Sequence, residues 1–241
     1  MADSVNSNPL RTGRFTSSEI VALTKVGKDR VSFGAPALTY IKETNRERKL
    51  GRSITNDFSS QETDWGKVCE GYVDFKYLGT QWTFCGEESI LHPEIDFWAG
   101  SPDIITHKEP RKVGDIKSPF SLSSFCDFAD CKNIDDIREF HKDGDKYFWQ
   151  LVSNACITGC NWAELIIFVP HKHELDAIRD RARELGYDRI VWKKNDMELP
   201  FLIPGVSKYN NLLRFPFEVT DQMKAELTEL VLRAGEKLIP R

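Results

Sequence analysis

Gly100-Ser101-Pro102-Asp103 and Gly114-Asp115-Ile116-Lys117-Ser118-Pro119 bracket a polar segment, His107-Lys108-Glu109-Pro110-Arg111-Lys112. Just ahead of Asp103, Ile95-Asp96-Phe97-Trp98-Ala99 mixes apolar and polar residues as a strand does, and Asp115 and Lys117 flank Ile116. Side chains alternate along a strand, so Asp115 and Lys117 share one face while Ile116 turns into the core. The proline-bearing segment between the carboxylates reads as the loop of a β-hairpin. Closing that hairpin sets Asp103 beside Asp115, with Lys117 next to both. Neighbouring carboxylates repel unless a cation lies between them, and hard oxygen ligands favour Mg²⁺ or Mn²⁺. A lysine beside such an ion orients a water or stabilises charge on a phosphate. Taken alone, two such acids and a lysine are more often ordinary surface charges on a solvated hairpin, so their surroundings decide.

Upstream, a helix starts at Ser59 or Ser60 and runs to Tyr77. Its residues Trp65, Val68, Cys69, Tyr72, Val73 and Tyr77 recur at about 100° per residue and form one apolar arc. Glu70 stands at the border of that arc, one turn beyond Gly66. It is either an amphipathic edge or a metal ligand reaching toward an adjacent sheet. Nearer the start, Thr16-Ser17-Ser18-Glu19 ahead of Ile20-Val21-Ala22-Leu23 is a helix-start pattern. Residues 35–49 read as a second helix, entered through Pro36, with Leu38 and Ile41 on one face. It ends in a basic cluster, Arg46, Arg48, Lys49 and Arg52. That cluster is either a solvated end favoured by the helix dipole or a phosphate-contacting rim.

Downstream, residues 118–143 read as an irregular, acidic surface excursion. Residues 145–158 form a helix that is apolar on most sides, with Gln150, Asn154 and Thr158 in one polar stripe. A polar stripe on a buried helix faces a partner or a site. Residues 163–169 suit a central strand, 171–185 an amphipathic helix, 190–192 a short strand and 200–216 a proline-punctuated loop. A C-terminal helix lies within 218–241, over about 220–238. Helices, hairpins, strand, helix and strand in this order predict an α/β fold with a mixed central sheet and the carboxylates at one end of it. The chain reads as a single domain over 1–241, with 1–9 a loose arm.

The 241 residues are 40% hydrophobic and 29% charged with a net charge of −4, an ordinary globular composition. A net negative chain does not coat DNA nonspecifically, although basic groups concentrated at one channel remain compatible with it. Apolar runs fall short of about 18 residues, so no membrane span is expected. The first residues lack the basic-then-apolar form of a secretion signal. Cys69, Cys85, Cys126, Cys131, Cys156 and Cys160 are therefore expected as reduced, mostly buried thiols. They contain no CxxC pair, which argues against an iron–sulfur cluster.

Glu70, Pro102-Asp103 and Asp115-x-Lys117 together resemble the PD-(D/E)XK nuclease pattern. The chain more closely resembles the lambda-type (YqaJ-like) phage recombination exonucleases of that superfamily. Four blocks in order carry the resemblance: Leu10-Arg11-x-Gly13-x-x-Thr16-x-Ser18-Glu19; Trp65-Gly66-Lys67-x-x-Glu70; Ser101-Pro102-Asp103 with Lys117-x-Pro119-Phe120; and Tyr147-x-x-Gln150. It runs from about Leu10 to Pro170. Two positions depart from it. Asp115 stands where the nearest relatives carry Glu, and Val152 replaces the family's second glutamine.

The resemblance implies a restriction-endonuclease-like mixed central sheet flanked by helices. It also implies 5′→3′ digestion of one strand of double-stranded DNA, from its end to mononucleotides, in phage-type recombination. Glu70, Asp103, Asp115 and Lys117 would be catalytic. One Mg²⁺ would be held by Asp103, Asp115 and the Ile116 carbonyl, a second would lie near Glu70, and Mn²⁺ would substitute. Arg11, Ser18, Ser101 and Gln150 would grip the terminal 5′-phosphate. A homotrimeric ring, a single-strand annealing partner and a bacterial or phage-infected host cytoplasm follow from the same likeness. Two rivals stay open: an endonuclease of the same superfamily, and a catalytically silent DNA-binding module.

Overall fold

The computed structural model describes residues 8–54, 60–86, 88–192 and 198–240. Most of the expected N-terminal arm, residues 1–7, lies outside them, as do Ser59 and Arg241. Strand β1 (Phe15–Thr16) runs into a 3₁₀ segment, Ser17–Thr24. Helix α1 (Ala35–Leu50) has Pro36 in its first turn and closes on Gly51 at φ 67°, a left-handed cap that suits glycine. Helix α2 (Gln61–Tyr77) begins where the Ser60 hydroxyl accepts the Thr63 N–H. Strands β2 (Trp82–Phe84), β3 (Ile90–Leu91), β4 (Trp98–Gly100), β5 (Ile104–Thr106) and β6 (Lys112–Lys117) follow. Helices α3 (Leu122–Ala129), α4 (Ile134–Phe140) and α5 (Gly144–Thr158) then lead to β7 (Trp162–Phe168). Beyond it come α6 (Leu175–Glu184), α7 (Asp188–Val191), β8 (Leu212–Glu218) and α8 (Asp221–Gly235).

The larger sheet has the order β2-β5-β6-β7-β8. Only β6 and β7 run parallel in it, and the crossover between them is the α3–α5 segment. The sheet is buried on both faces. Val113, Leu165 and Ile167 pack with Phe148, Leu151, Val152 and Ala155 of α5. Ile104, Ile116, Ile166 and Phe168 pack with Trp65, Val68 and Val73 of α2 and with Leu175 and Ile178 of α6. Each fully buried aliphatic or phenyl side chain contributes about 1.5–3 kcal/mol. This is the expected mixed central sheet flanked by helices. A second, smaller sheet, β1-β4-β3, stands apart from it, with β1 parallel to β4 and Thr16 opposite Ala99.

Three stretches differ from the sequence reading. Residues 118–143 hold two capped helices. Ser121 and Asn133 accept the Ser124 and Asp136 N–H groups, while Phe125, Phe128, Ile134 and Ile137 enter the core. The acidic residues that give this stretch the look of a surface loop, Asp127, Asp135, Asp136 and Glu139 on those helices and Asp130 and Asp143 beside them, all stay exposed or half-buried. Residues 190 and 191 belong to a helical turn, α7, that Trp192 caps; Ile190 is buried and Trp192 is 73% exposed. The end of the proline-rich 200–216 segment is β8, an edge strand antiparallel to β7. Phe215 and Phe217 face inward from it, and Pro216 is tolerated because an edge strand needs no donor on its open side.

All six cysteines are free, with Cys69 and Cys160 buried and the other four half-buried. No helix among the described residues is long and apolar enough to cross a membrane.

Candidate active site

The β5–β6 hairpin forms as the sequence predicts, with Ile104 opposite Gly114. One step further the Asp103 N–H donates to the Gly114 carbonyl at 3.2 Å, so Asp103 and Asp115 lie across from one another. Gly114 is needed here, because an added Cβ would sit 2.6 Å from the Ile104 side chain. Asp103 Oδ2 accepts the Ile116 N–H at 2.6 Å. A residue's N–H and C=O leave a strand on the same side, so the Ile116 carbonyl is also turned toward Asp103.

Asp115 is fully buried, and Lys117 Nζ lies 2.7 Å from its Oδ2. Gln150 Nε2 donates to Asp115 Oδ1 at 2.7 Å. Burial first, then the charge of Asp115, hold the Asp103 carboxyl well above the usual carboxylate range. Burial alone would lower the Lys117 pKa. Asp115, Asp103 and Glu70 outweigh it and hold the ammonium above the usual lysine range.

Glu70 reaches the same place from α2. It lines a cleft of about 170 Å³ with Glu62, Gly66, Ile116, Lys117, Ser118 and Pro119, opposite Ser124, Phe128 and Tyr147. Ser124 and Phe128 belong to α3, a helix where the sequence predicts irregular chain. Its signal was the Ser121 cap followed by phenylalanines at helical spacing. Tyr147, from the Tyr147-x-x-Gln150 block, also lines the cleft, and burial raises its phenol above the ordinary range.

Three carboxylates converge on one ammonium, and one of them, Asp115, is fully buried while Asp103 across the hairpin is half-buried. An oxygen-rich set with excess negative charge fits a divalent cation of the Mg²⁺ type. Asp103, Asp115 and the Ile116 carbonyl supply hard donors on one side, and Glu70 does so from the other.

The four residues expected to take a terminal phosphate are distributed as follows. Arg11 Nη2 donates to Ser18 Oγ at 3.1 Å, and the Ser101 hydroxyl pairs with that of Ser89 at 2.8 Å. The parallel register of β1 and β4 carries Ser18 and Ser101 to the same end of the small sheet. Thr16 is locked there, its N–H donating to the Tyr40 hydroxyl at 2.6 Å. Gln150 comes from α5, which braces that sheet one turn later. Ser153 Oγ accepts from Trp98 Nε1 and lies 2.8 Å from Ser17 Oγ. The amide of Gln150 itself is directed at Asp115.

Of the basic cluster, Arg46, Lys49 and Arg52 are exposed. Arg48 instead donates to the carbonyls of Gly13 and Ile239, at 2.8 and 2.6 Å. It ties the two ends of the chain to α1 and is not presented as part of a rim.

No family model matches the chain, and no curated protein matches it. Solved structures do. An alkaline exonuclease from Laribacter hongkongensis, LHK-Exo, solved in complex with dAMP, aligns at TM-score 0.59 and 16% identity, covering 96% of this chain and 91% of that one. A phage-related exonuclease from Haemophilus somnus 129PT aligns at TM-score 0.66 and 14% identity, covering 93% and 92%. At such identities the likeness establishes the fold: over nearly its whole length, the chain shares the α/β architecture of these exonucleases.

Proposed function

We propose that the chain is a divalent-metal-dependent exonuclease acting on the ends of double-stranded DNA, within or close to the lambda-type exonuclease family. The observation that carries this reading is the hairpin pair. Asp103 and Asp115 face each other, Asp103 is fixed to the Ile116 N–H, and Lys117 sits 2.7 Å from Asp115. The exonuclease fold and the acid on α2 support it.

Bound Mg²⁺, or Mn²⁺ in its place, would supply a water of lowered pKa and Lewis acidity at the phosphoryl oxygens. Asp103, Asp115 and the Ile116 carbonyl would hold one ion, and Glu70 would hold a second. Lys117, kept charged by its neighbours, orients the attacking water and stabilises negative charge on the phosphoryl group. Arg11 with Ser18 and Ser101 offers a guanidinium and hydroxyls, which suits a terminal phosphate dianion.

Linear duplex and covalently closed circular duplex, each incubated with the protein in Mg²⁺, test the reading. Release of acid-soluble nucleotide from the linear form alone is expected. Cleavage of the circle would favour an endonuclease, and cleavage of neither would leave a binding module.

A further inference from the structure

The turn that carries Arg11 and the strand end that carries Ser101 are joined by two residues outside the motif blocks, Asn8 and Ser89. Ile90 pairs with Gly100 in the antiparallel β3–β4 ladder, so one step further Ser89 lies opposite Ser101. Their hydroxyls are 2.8 Å apart. Ser89 Oγ also accepts the Asn8 side-chain N–H at 2.9 Å. Asn8 belongs to the stretch expected as a loose arm, yet it is held on its other sides too. Its Oδ1 accepts the Leu10 N–H at 3.0 Å, which fixes the end of the amide that meets Ser89. Its carbonyl accepts the Arg11 N–H at 2.9 Å and the Thr12 N–H at 3.2 Å.

These bonds run in one direction. An amide nitrogen only donates, whereas a hydroxyl both accepts and donates its single proton. With Asn8 donating to Ser89, the Ser89 proton is available to Ser101 Oγ, and the Ser101 proton is left to point away from the pair. A phosphate dianion accepts hydrogen bonds and offers no proton, so a hydroxyl that meets it must donate. Hydrogen bonds linked head to tail also polarise one another. Arg11, 3.1 Å from Ser18 Oγ, supplies the positive charge of the same pocket.

We infer that Asn8 and Ser89 are positioning residues for the terminal-phosphate pocket: they form a relay, Asn8 to Ser89 to Ser101, that makes the Ser101 hydroxyl a donor and ties it to the turn of Arg11. This inference rests on the end-directed nuclease reading above and adds two residues to it.

The test is the ratio of hydrolysis rates on 5′-phosphorylated and 5′-hydroxyl linear duplexes in Mg²⁺, which cancels differences in the amount of active protein. Ser89→Ala and Asn8→Ala should each lower that ratio about two- to tenfold, the worth of a hydrogen bond between neutral groups. Ser89→Thr keeps the hydroxyl and should keep the wild-type ratio. Because both residues act through one hydroxyl, the double alanine variant should fall no further than Ser89→Ala alone. A ratio unchanged in Ser89→Ala overturns the inference, whether or not both ends slow. A threonine variant as impaired as the alanine one, or additive losses in the double variant, overturns it as well. Wild-type preference for phosphorylated ends that Arg11→Ala removes and Ser89→Ala leaves intact defeats the relay alone. Wild-type protein that hydrolyses both ends equally, or neither, defeats the pocket reading and this inference together.

Discussion

Asp103 Oδ2 accepts the backbone N–H of Ile116 at 2.6 Å, which pins the first carboxylate to the strand that carries the second. The two acids are thereby fixed relative to each other by main chain rather than by side-chain packing alone. Asp103 then has a structural duty as well as its proposed chemical one, and two substitutions separate them. Asp103→Asn keeps an acceptor oxygen for Ile116 and removes the charge, so thermal stability should hold while hydrolysis is lost. Asp103→Ala also orphans a buried N–H, at a cost of about 1–3 kcal/mol. Thermal melts of both variants check this. Equal melting temperatures would remove the pin from the account.

Arg11 donates to Ser18, and the β1–β4 register sets Ser101 at the same end of the small sheet. Losing a charge-assisted hydrogen bond costs about 1.5–3 kcal/mol. Arg11→Ala should therefore slow digestion of 5′-phosphorylated ends about ten- to a hundredfold and barely affect 5′-hydroxyl ends. Rates on both ends for wild type and variant form a double-mutant cycle. Equal slowing on both would mean that Arg11 does not read the phosphate.

Glu174, 1% exposed, joins α2 to the segment after β7. It accepts from Tyr72 at 3.1 Å, from Lys76 and Tyr77 at 2.6 Å each, and from the His171 N–H at 2.7 Å. His171 and His173 also approach it, but these donors already engage both carboxylate oxygens. Burial alone would raise its pKa, but Lys76, Tyr77 and the His171 N–H together hold it down to about 2, from an ordinary 4.5. Its contribution to stability is whole above pH 4.5 and is lost as pH falls toward 2. Urea midpoints should thus drop more steeply between pH 5 and pH 3 for wild type than for Glu174→Gln. At neutral pH, Glu174→Ala should cost about 3 kcal/mol by stripping buried partners of their acceptor. Parallel pH profiles for wild type and Glu174→Gln would contradict this.

Gly100 lets α5 approach β4. An added Cβ would press on the Asn154 side-chain oxygen, and would lie 2.5 Å from Ser17 Oγ and 2.8 Å from the Ile157 side chain. Gly100→Ala should cost about 1–3 kcal/mol. It should also displace Ser101, so that the preference for phosphorylated ends weakens along with stability. An unchanged denaturation midpoint would contradict the close packing.

The hairpin, the acid on α2 and α5 itself were legible because each rests on a local rule: strand alternation around Ile116, a helical arc from Trp65 to Val73, and an apolar run after Asp145. The missed elements are those in which tertiary burial outweighs composition. In α3 and α4 the charges that dominate the sequence are solvated, and Phe125, Phe128, Ile134 and Ile137 do the packing. In β8 the alternation of Phe215 and Phe217 was present but hidden by Pro216, which only an edge position accommodates. The bond from Gln150 to Asp115 could not be read at all. It depends on how α5 crosses the sheet, which no spacing within the helix encodes.

The central claim is that Asp103, Asp115 and Lys117 form a metal-dependent hydrolytic centre for DNA ends. It is tested most directly by acid-soluble nucleotide release from a linear duplex, with and without Mg²⁺, by wild type, Asp115→Asn and Lys117→Ala. The expected result is Mg²⁺-dependent release by wild type and a loss of about a thousandfold or more in each variant, with duplex binding retained because it is spread over many backbone contacts. Release that persists in either variant, or that proceeds equally well in EDTA, would contradict it.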